Sequence, residues 1–129
     1  MTTQHATMSL DDAEDIAPKF GMSDMGEARF LRKPLGAEGI GMANYRLNPG
    51  SRVPFGHRHS DVEEVYVVLA GSGRFKLDDD IVDVAARDVV YCPPGVMRAW
   101  EAGPDGLELL AVGHHAEGDG EVVQGWWSD

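Results

Sequence analysis

Apolar residues recur along this chain in short runs rather than at the three-and-four spacing of an amphipathic helix. From Ala28 onward the texture is strand, turn, strand. Segments 29–33, 40–47, 53–59, 63–69, 73–77, 81–84, 89–92, 97–102 and 107–112 read as strands. The residues between them are turn formers: Asn48-Pro49-Gly50, Ala70-Gly71-Ser72-Gly73, Asp78-Asp79-Asp80, Pro93-Pro94-Gly95 and Gly103-Pro104-Asp105-Gly106. Short strands at this spacing, with no helical pattern between them, predict an all-β antiparallel sandwich or barrel. Asp78-Asp79-Asp80 reads as a hairpin turn, because it lacks the further oxygen ligands of a calcium loop.

The run that follows Glu64 is apolar on both faces. If Glu64 points inward, so do Tyr66 and Val68, and Val65, Val67 and Leu69 form the opposite face. An antiparallel strand wet on one side alternates apolar with polar. This strand therefore calls for cover on both sides, from a second layer of the chain or from another subunit. A homodimer packed through this sheet is the expectation.

The ends of the chain differ in texture. Residues 1–26 are polar and acidic. They form either a loosely ordered arm or a short helix with Ser9 as N-cap, Asp11, Asp12 and Glu14 near its positive end, and Pro18 as its stop. Residues 27–113 make the barrel, and 114–129 a C-terminal tail. Trp126-Trp127 should pack on the barrel or a partner, since two exposed tryptophans are costly. The neighbours His114 and His115 point oppositely on a strand and make a poor chelate.

Composition narrows the function classes. A chain of 129 residues suits one domain. Its 16 glycines and 7 prolines agree with many turns. With 22 acidic against 11 basic residues the net charge is −11, which argues against nucleic-acid binding. The longest apolar stretch, from Val65 to Ala70, is too short to span a membrane. No basic and apolar leader opens the chain, so no signal peptide is expected. The single cysteine, Cys92, has no partner for an internal disulfide and indicates a cytoplasmic setting. Lying before Pro93 in an apolar strand, it reads as a buried hydrophobe rather than a nucleophile.

The candidate chemistry lies in His57-Arg58-His59 and Glu64. Residues two apart on a strand face the same side, so His57 and His59 project together and Arg58 turns away. Two imidazoles and a carboxylate on one face suit a divalent ion with open positions left for water or substrate.

The stretch from Gly50 to Gly71 resembles the first motif of the cupin superfamily: a glycine, two histidines one residue apart, a glutamate, and a glycine seven residues later. That spacing matches Glu64 rather than Glu63. The stretch before the first histidine is one residue longer than usual. Asp88 to Arg98 resembles the second motif through Pro93-Pro94-Gly95, with Arg87 where a glycine is usual, Arg98 where the third histidine ligand stands, and Ala102 at the terminal asparagine. The resemblance covers about residues 35–112 and implies a small single-domain cupin, a double-stranded β-helix or jelly-roll barrel that commonly dimerises.

The resemblance also implies a lumenal site. His57, His59 and Glu64 match three of four family metal ligands, with iron, manganese, nickel or zinc as candidates. Strand alternation puts Arg98 in the lumen with Trp100. There it either repels a metal, pairs with Glu64, or clamps an anionic substrate. Phe55, Tyr66, Trp100 and Tyr45 would line a pocket for a small organic ligand, or else fill the barrel as core. Two functions follow. One is a metal-dependent, dioxygenase- or isomerase-like protein with Arg98 orienting a small anion. The other is a metal-free binding or sensing module built around a Glu64–Arg98 ion pair. Fold alone decides neither, nor whether the protein is an enzyme.

Overall fold

The computed structural model describes residues 4–128. It is built from antiparallel strands: β1 (Gly26–Phe30), β2 (Ile40–Leu47), β3 (Phe55–His59), β4 (Glu64–Leu77), β5 (Asp80–Ala85), β6 (Val89–Cys92), β7 (Arg98–His114) and β8 (Gly120–Gln124). The long strands β4 and β7 pair with each other along most of their length and serve both layers of a jelly roll. The first part of β4 and the last part of β7 join β6, β2 and β1 in one layer. The last part of β4 and the first part of β7 join β5, β3 and β8 in the other.

The passage from layer to layer falls at glycines. The β4–β7 register shifts between Val68 and Ala70 and again between Gly71 and Gly73. Gly71 has φ +78°, and a Cβ there would lie 2.1 Å from the carbonyl oxygen of Gly106. Only glycine combines the left-handed backbone with so close an approach. The turn formers at 70–73 and 103–106 thus bend continuous strands. From sequence alone these clusters read as loops, which divides each long strand in two.

Inward-facing residues of the two layers meet as one core, with Tyr66, Val68, Phe75, Trp100, Leu107 and Leu109 all buried. Their order follows the period-two alternation of the strands. Tyr66 and Val68 share the inner face of β4 as expected from Glu64.

Other boundaries moved. The segment expected as strand 29–33 is strand only to Phe30. A single helical turn, α1 (Arg32–Leu35), follows and is closed by Gly36 at φ +75°. β3 starts at Phe55 rather than 53, while Arg52 makes an isolated bridge to Glu101. At the N-terminus, Ser9 caps a 3-10 turn, Leu10–Asp12, in a reciprocal box with Asp12. Pro18 does not end that turn. It enters a second one, Ala17–Phe20, where its missing N–H is no loss. The segment is anchored to β1, because Asp15 Oδ1 accepts hydrogen bonds from the backbone N–H groups of Ala17 and Ala28, both at 3.0 Å.

Strand β8 was not anticipated. It pairs with β3 over its whole length and brings the C-terminus across the outside of the barrel. There Trp127 is buried, with the Arg52 guanidinium 4.3 Å and that of Arg74 5.3 Å from its ring centre. Trp126 lies against Gly56, where a Cβ would meet its ring at 2.6 Å.

Candidate metal and ligand site

β3 delivers His57 and His59 to the inner face, and its register sets His57 directly opposite Arg98 on β7. Glu64 opens β4 and Tyr66 follows two residues on, so both face the same interior. His57, His59 and Glu64 converge, with one ligand atom from each within 4.8 Å of the others. Glu64 Oε1 lies 3.6 Å from His57 Nε2 and 3.9 Å from His59 Nε2.

The same oxygen accepts from Arg98 Nη2 at 2.8 Å and from the Tyr66 hydroxyl. Arg98 Nε donates to the Tyr66 oxygen at 3.0 Å, and Arg98 Nη1 to the carbonyl of Val96 at 2.9 Å. The Tyr66 oxygen also lies 3.2 Å from His57 Nε2. Arg98 has no solvent exposure.

Burial alone would raise the Glu64 pKa. The nearby His57 ring and hydrogen bonds from Tyr66 and Arg98, with the Arg98 charge behind them, override it and hold the group at about 2. Burial pushes the His59 pKa down against the pull of Glu64, which favours the neutral, ligating imidazole. Burial raises the Tyr66 pKa, so its hydroxyl keeps the proton it donates.

Two imidazole nitrogens and one carboxylate oxygen on a common face fit a divalent ion. The cost is the guanidinium that shares the carboxylate oxygen.

The expected pocket walls separate into two groups. Phe55 and Trp100, with Tyr45 and His57, line a cavity of about 50 Å³, room for a few waters by the usual allowance of ~10–15 Å³ each. Met22 and Met25 of the N-terminal segment line it as well. Tyr66 is not in that wall; fully buried, it packs its ring 5.1 Å from Trp100 and 5.2 Å from Phe75. Trp100 is the hub of this cluster, with Tyr45 at 5.2 Å and an edge-on His57 at 5.8 Å. Its Nε1 is buried without a hydrogen-bond partner.

Several candidates lie elsewhere. His114 ends β7 opposite Ile40, and His115 Nε2 meets Glu117 at 3.0 Å. Cys92 is buried, and burial pushes its thiol up to about 11, which keeps it protonated and inert. Asp78 turns the β4–β5 hairpin at φ +51° and accepts from the Met97 N–H at 3.0 Å.

One residue beside the cluster gave no signal in the sequence. Asp119, just ahead of β8, sets Oδ2 3.4 Å from His59 Nδ1. It sits in a polar tail with no motif and no strand period to mark it. Met22 and Met25 were missed for the same reason, since they belong to the irregular segment before β1.

The cupin domain model matches residues 43–113, more than half of the chain. An oxalate-binding protein of Thermotoga maritima is 37% identical over 71 residues, which span 54% of this chain and 58% of that relative. The match thus covers little more than half of the relative's length. Among solved structures, oxalate decarboxylase from Bacillus subtilis superposes with a TM-score of 0.69 at 25% identity, over 92% of this chain and 33% of that one. The polyketide cyclase RemF from Streptomyces resistomycificus gives 0.75 at 21% identity, over 98% of this chain and 89% of that one, a likeness of fold alone. Two-layered barrel, histidine pair and glutamate agree with these matches: the chain belongs to the cupin family.

Proposed function

We propose that the barrel binds a divalent metal through His57, His59 and Glu64 and uses it to hold a small organic anion, with dicarboxylates such as oxalate as the first class to test. The carrying observation is the commitment of Arg98. Its three nitrogens donate to Glu64, Tyr66 and Val96, and it is fully buried. Glu64 and Arg98 cancel, and the imidazoles are neutral ligands. Without a metal the site therefore offers an anion no free positive charge, in a chain of net charge −11.

A bound divalent ion supplies Lewis-acid character and the missing charge. The chain's own residues do the rest. Arg98 and Tyr66 fix one Glu64 oxygen and keep the carboxylate ionised. Trp100 borders the cavity beside His57 and carries an unpaired buried N–H, a donor that a ligand or water would satisfy. The named relatives that bind or decarboxylate oxalate support the ligand class.

A metal-free binding module remains as the second reading, favoured by the Glu64–Arg98 contact at 2.8 Å. Titration calorimetry separates the two. The metal reading expects micromolar or tighter uptake of manganese, iron, nickel or zinc, oxalate binding only when metal is present, and loss of both in His57→Ala. Oxalate binding by metal-free protein that survives His57→Ala would favour the second reading.

We further propose a homodimer packed through the outer face of the first layer. Register places Met42, Val112, Val65 and Tyr91 in one row across β2, β7, β4 and β6, and Asn44, Leu110, Val67 and Val89 in the next. Val89 and Tyr91 are 61% and 53% exposed, and such a face is costly to leave in water. Sedimentation of the intact chain should show a dimer at micromolar concentration, and Val67→Glu a monomer. A monomeric wild-type chain would remove the idea. No helix among the described residues is long and apolar enough to cross a membrane. A lone buried thiol suits the cytoplasm.

A further inference from the structure

The half-buried ring of His59 stands between two carboxylates. Its Nε2 faces Glu64 Oε1 at 3.9 Å, and its Nδ1 faces Asp119 Oδ2 at 3.4 Å. His59 Nδ1 and Asp119 Oδ2 are both buried, neither has a hydrogen-bond partner, and each is the polar atom the other approaches without forming an aligned hydrogen bond. The Asp119 side chain is only 2% exposed. Its other oxygen, Oδ1, accepts from the backbone N–H groups of Ser60 and Asp61, both at 2.9 Å, and from the Ser60 hydroxyl. The carboxylate is thus locked in place by the loop that follows β3. It has one oxygen left over, and that oxygen lies 3.4 Å from the histidine Nδ1. The β3–β8 ladder explains the placement, because Gly120, next in sequence, is the register partner of His59.

We infer that Asp119 is a positioning residue for the metal site: it holds the proton of His59 on Nδ1, so that Nε2 presents its lone pair toward Glu64 and His57. A neutral imidazole carries one proton, and the better acceptor decides where. The nearest acceptor at Nδ1 is a fixed carboxylate oxygen. Glu64 Oε1, near Nε2, is farther away and already accepts from Arg98 and Tyr66. A carboxylate behind a histidine ligand sets its tautomer and ring orientation, and its loss typically weakens metal binding ~10–100-fold. The inference rests on the proposed metal site. Asp119 lies outside the span matched by the family model, residues 43–113.

Asp119→Asn separates positioning from loop clamping. The asparagine carbonyl replaces Oδ1 and still accepts from Ser60 and Asp61. The amide NH2 then replaces Oδ2 and sets a donor against Nδ1. Turning the amide over would put that donor against two backbone N–H groups. The variant therefore keeps the clamp and moves the His59 proton to Nε2, onto the ligand nitrogen.

The experiment is long-range 1H–15N NMR of the histidine rings in metal-free full-length protein, with His59→Gln for assignment, together with zinc titration of the same samples. Wild type should show His59 protonated on Nδ1. Asp119→Asn should show it on Nε2, with zinc bound 10–100-fold more weakly. Wild-type His59 protonated on Nε2 overturns the inference, a result that needs no variant to fold. So does an Asp119→Asn protein whose tautomer is unchanged and whose zinc affinity stays within about twofold. If wild type takes up no zinc, the metal reading fails on its own, and the two ring tautomers still decide what Asp119 does.

Discussion

Arg98 stands opposite His57 in the β3–β7 register and is fully buried against Glu64. At the scale of single residues, this pair dominates what substitutions should do. Glu64→Gln leaves the guanidinium buried with no counter-ion, which typically costs about 3–5 kcal/mol. Urea unfolding at neutral pH should show a loss of that size, and metal uptake should vanish with it. Arg98→His acts in the opposite direction on metal. It removes a cation from beside the ligands and adds an imidazole across from His57. Zinc affinity should rise on the order of tenfold or more, since about 1.4 kcal/mol suffices for each factor of ten. A fall in affinity would mean that Arg98 supports the site through Glu64 more than it opposes the ion. The residues of this site were legible where they obey strand alternation: His57, His59, Glu64, Tyr66 and Arg98 all face inward because they lie on paired strands. Asp119 was not legible, because its position depends on where β8 docks, and nothing local specifies that.

Elements show the same division. Strands bounded by unambiguous turns, β2 and β6, have the bounds that alternation and turn chemistry predict. β4 and β7 each read as two strands from sequence because a glycine cluster looks alike whether it ends a strand or bends it. The difference is tertiary: the bend places Gly71 against the Gly106 backbone. That distinction is testable. Gly71→Ala forces a Cβ into a carbonyl 2.1 Å away at φ +78°, and should destabilise by more than about 2 kcal/mol. Gly36→Ala makes a control, with φ +75° but nothing within 4 Å of the added carbon. It should cost only about 1 kcal/mol, the left-handed penalty alone. Equal losses in urea midpoints would show that backbone conformation, and not the close crossing of β4 and β7, demands the glycine. β8 was missed for a related reason. Val122 and Val123 are short and exposed, and their strand character comes from the ladder with β3 rather than from an apolar period of their own.

At the scale of the whole molecule, acid should unfold the protein, and the carboxylates set the window. Glu64 is held at about 2 against an ordinary value of 4.5. Its hydrogen bonds and the Arg98 charge overcome burial, which acts the other way. Asp15 is also depressed, chiefly by the Ala28 N–H, and Asp119 chiefly by Ser60. A depressed folded pKa means that the unfolded chain binds more protons in the interval, so stability falls as pH falls. The contribution is complete above the unfolded value near 4.5 and is lost on the way down to about 2. For Glu64 the difference corresponds to roughly 3 kcal/mol, a large fraction of a small domain's stability. The excess of acidic residues acts in the other sense. Protonating exposed carboxylates relieves the repulsion of a −11 chain and softens the first part of the fall. His59, whose pKa burial lowers from 6.5, starts a shallow fall below neutral pH, and urea midpoints should drop most steeply below about 4 as the carboxylates protonate. Glu64→Gln should be less stable at neutral pH yet lose less on acidification, so that the two curves approach one another. Parallel curves would place the acid sensitivity in other carboxylates and remove Glu64–Arg98 as its principal source.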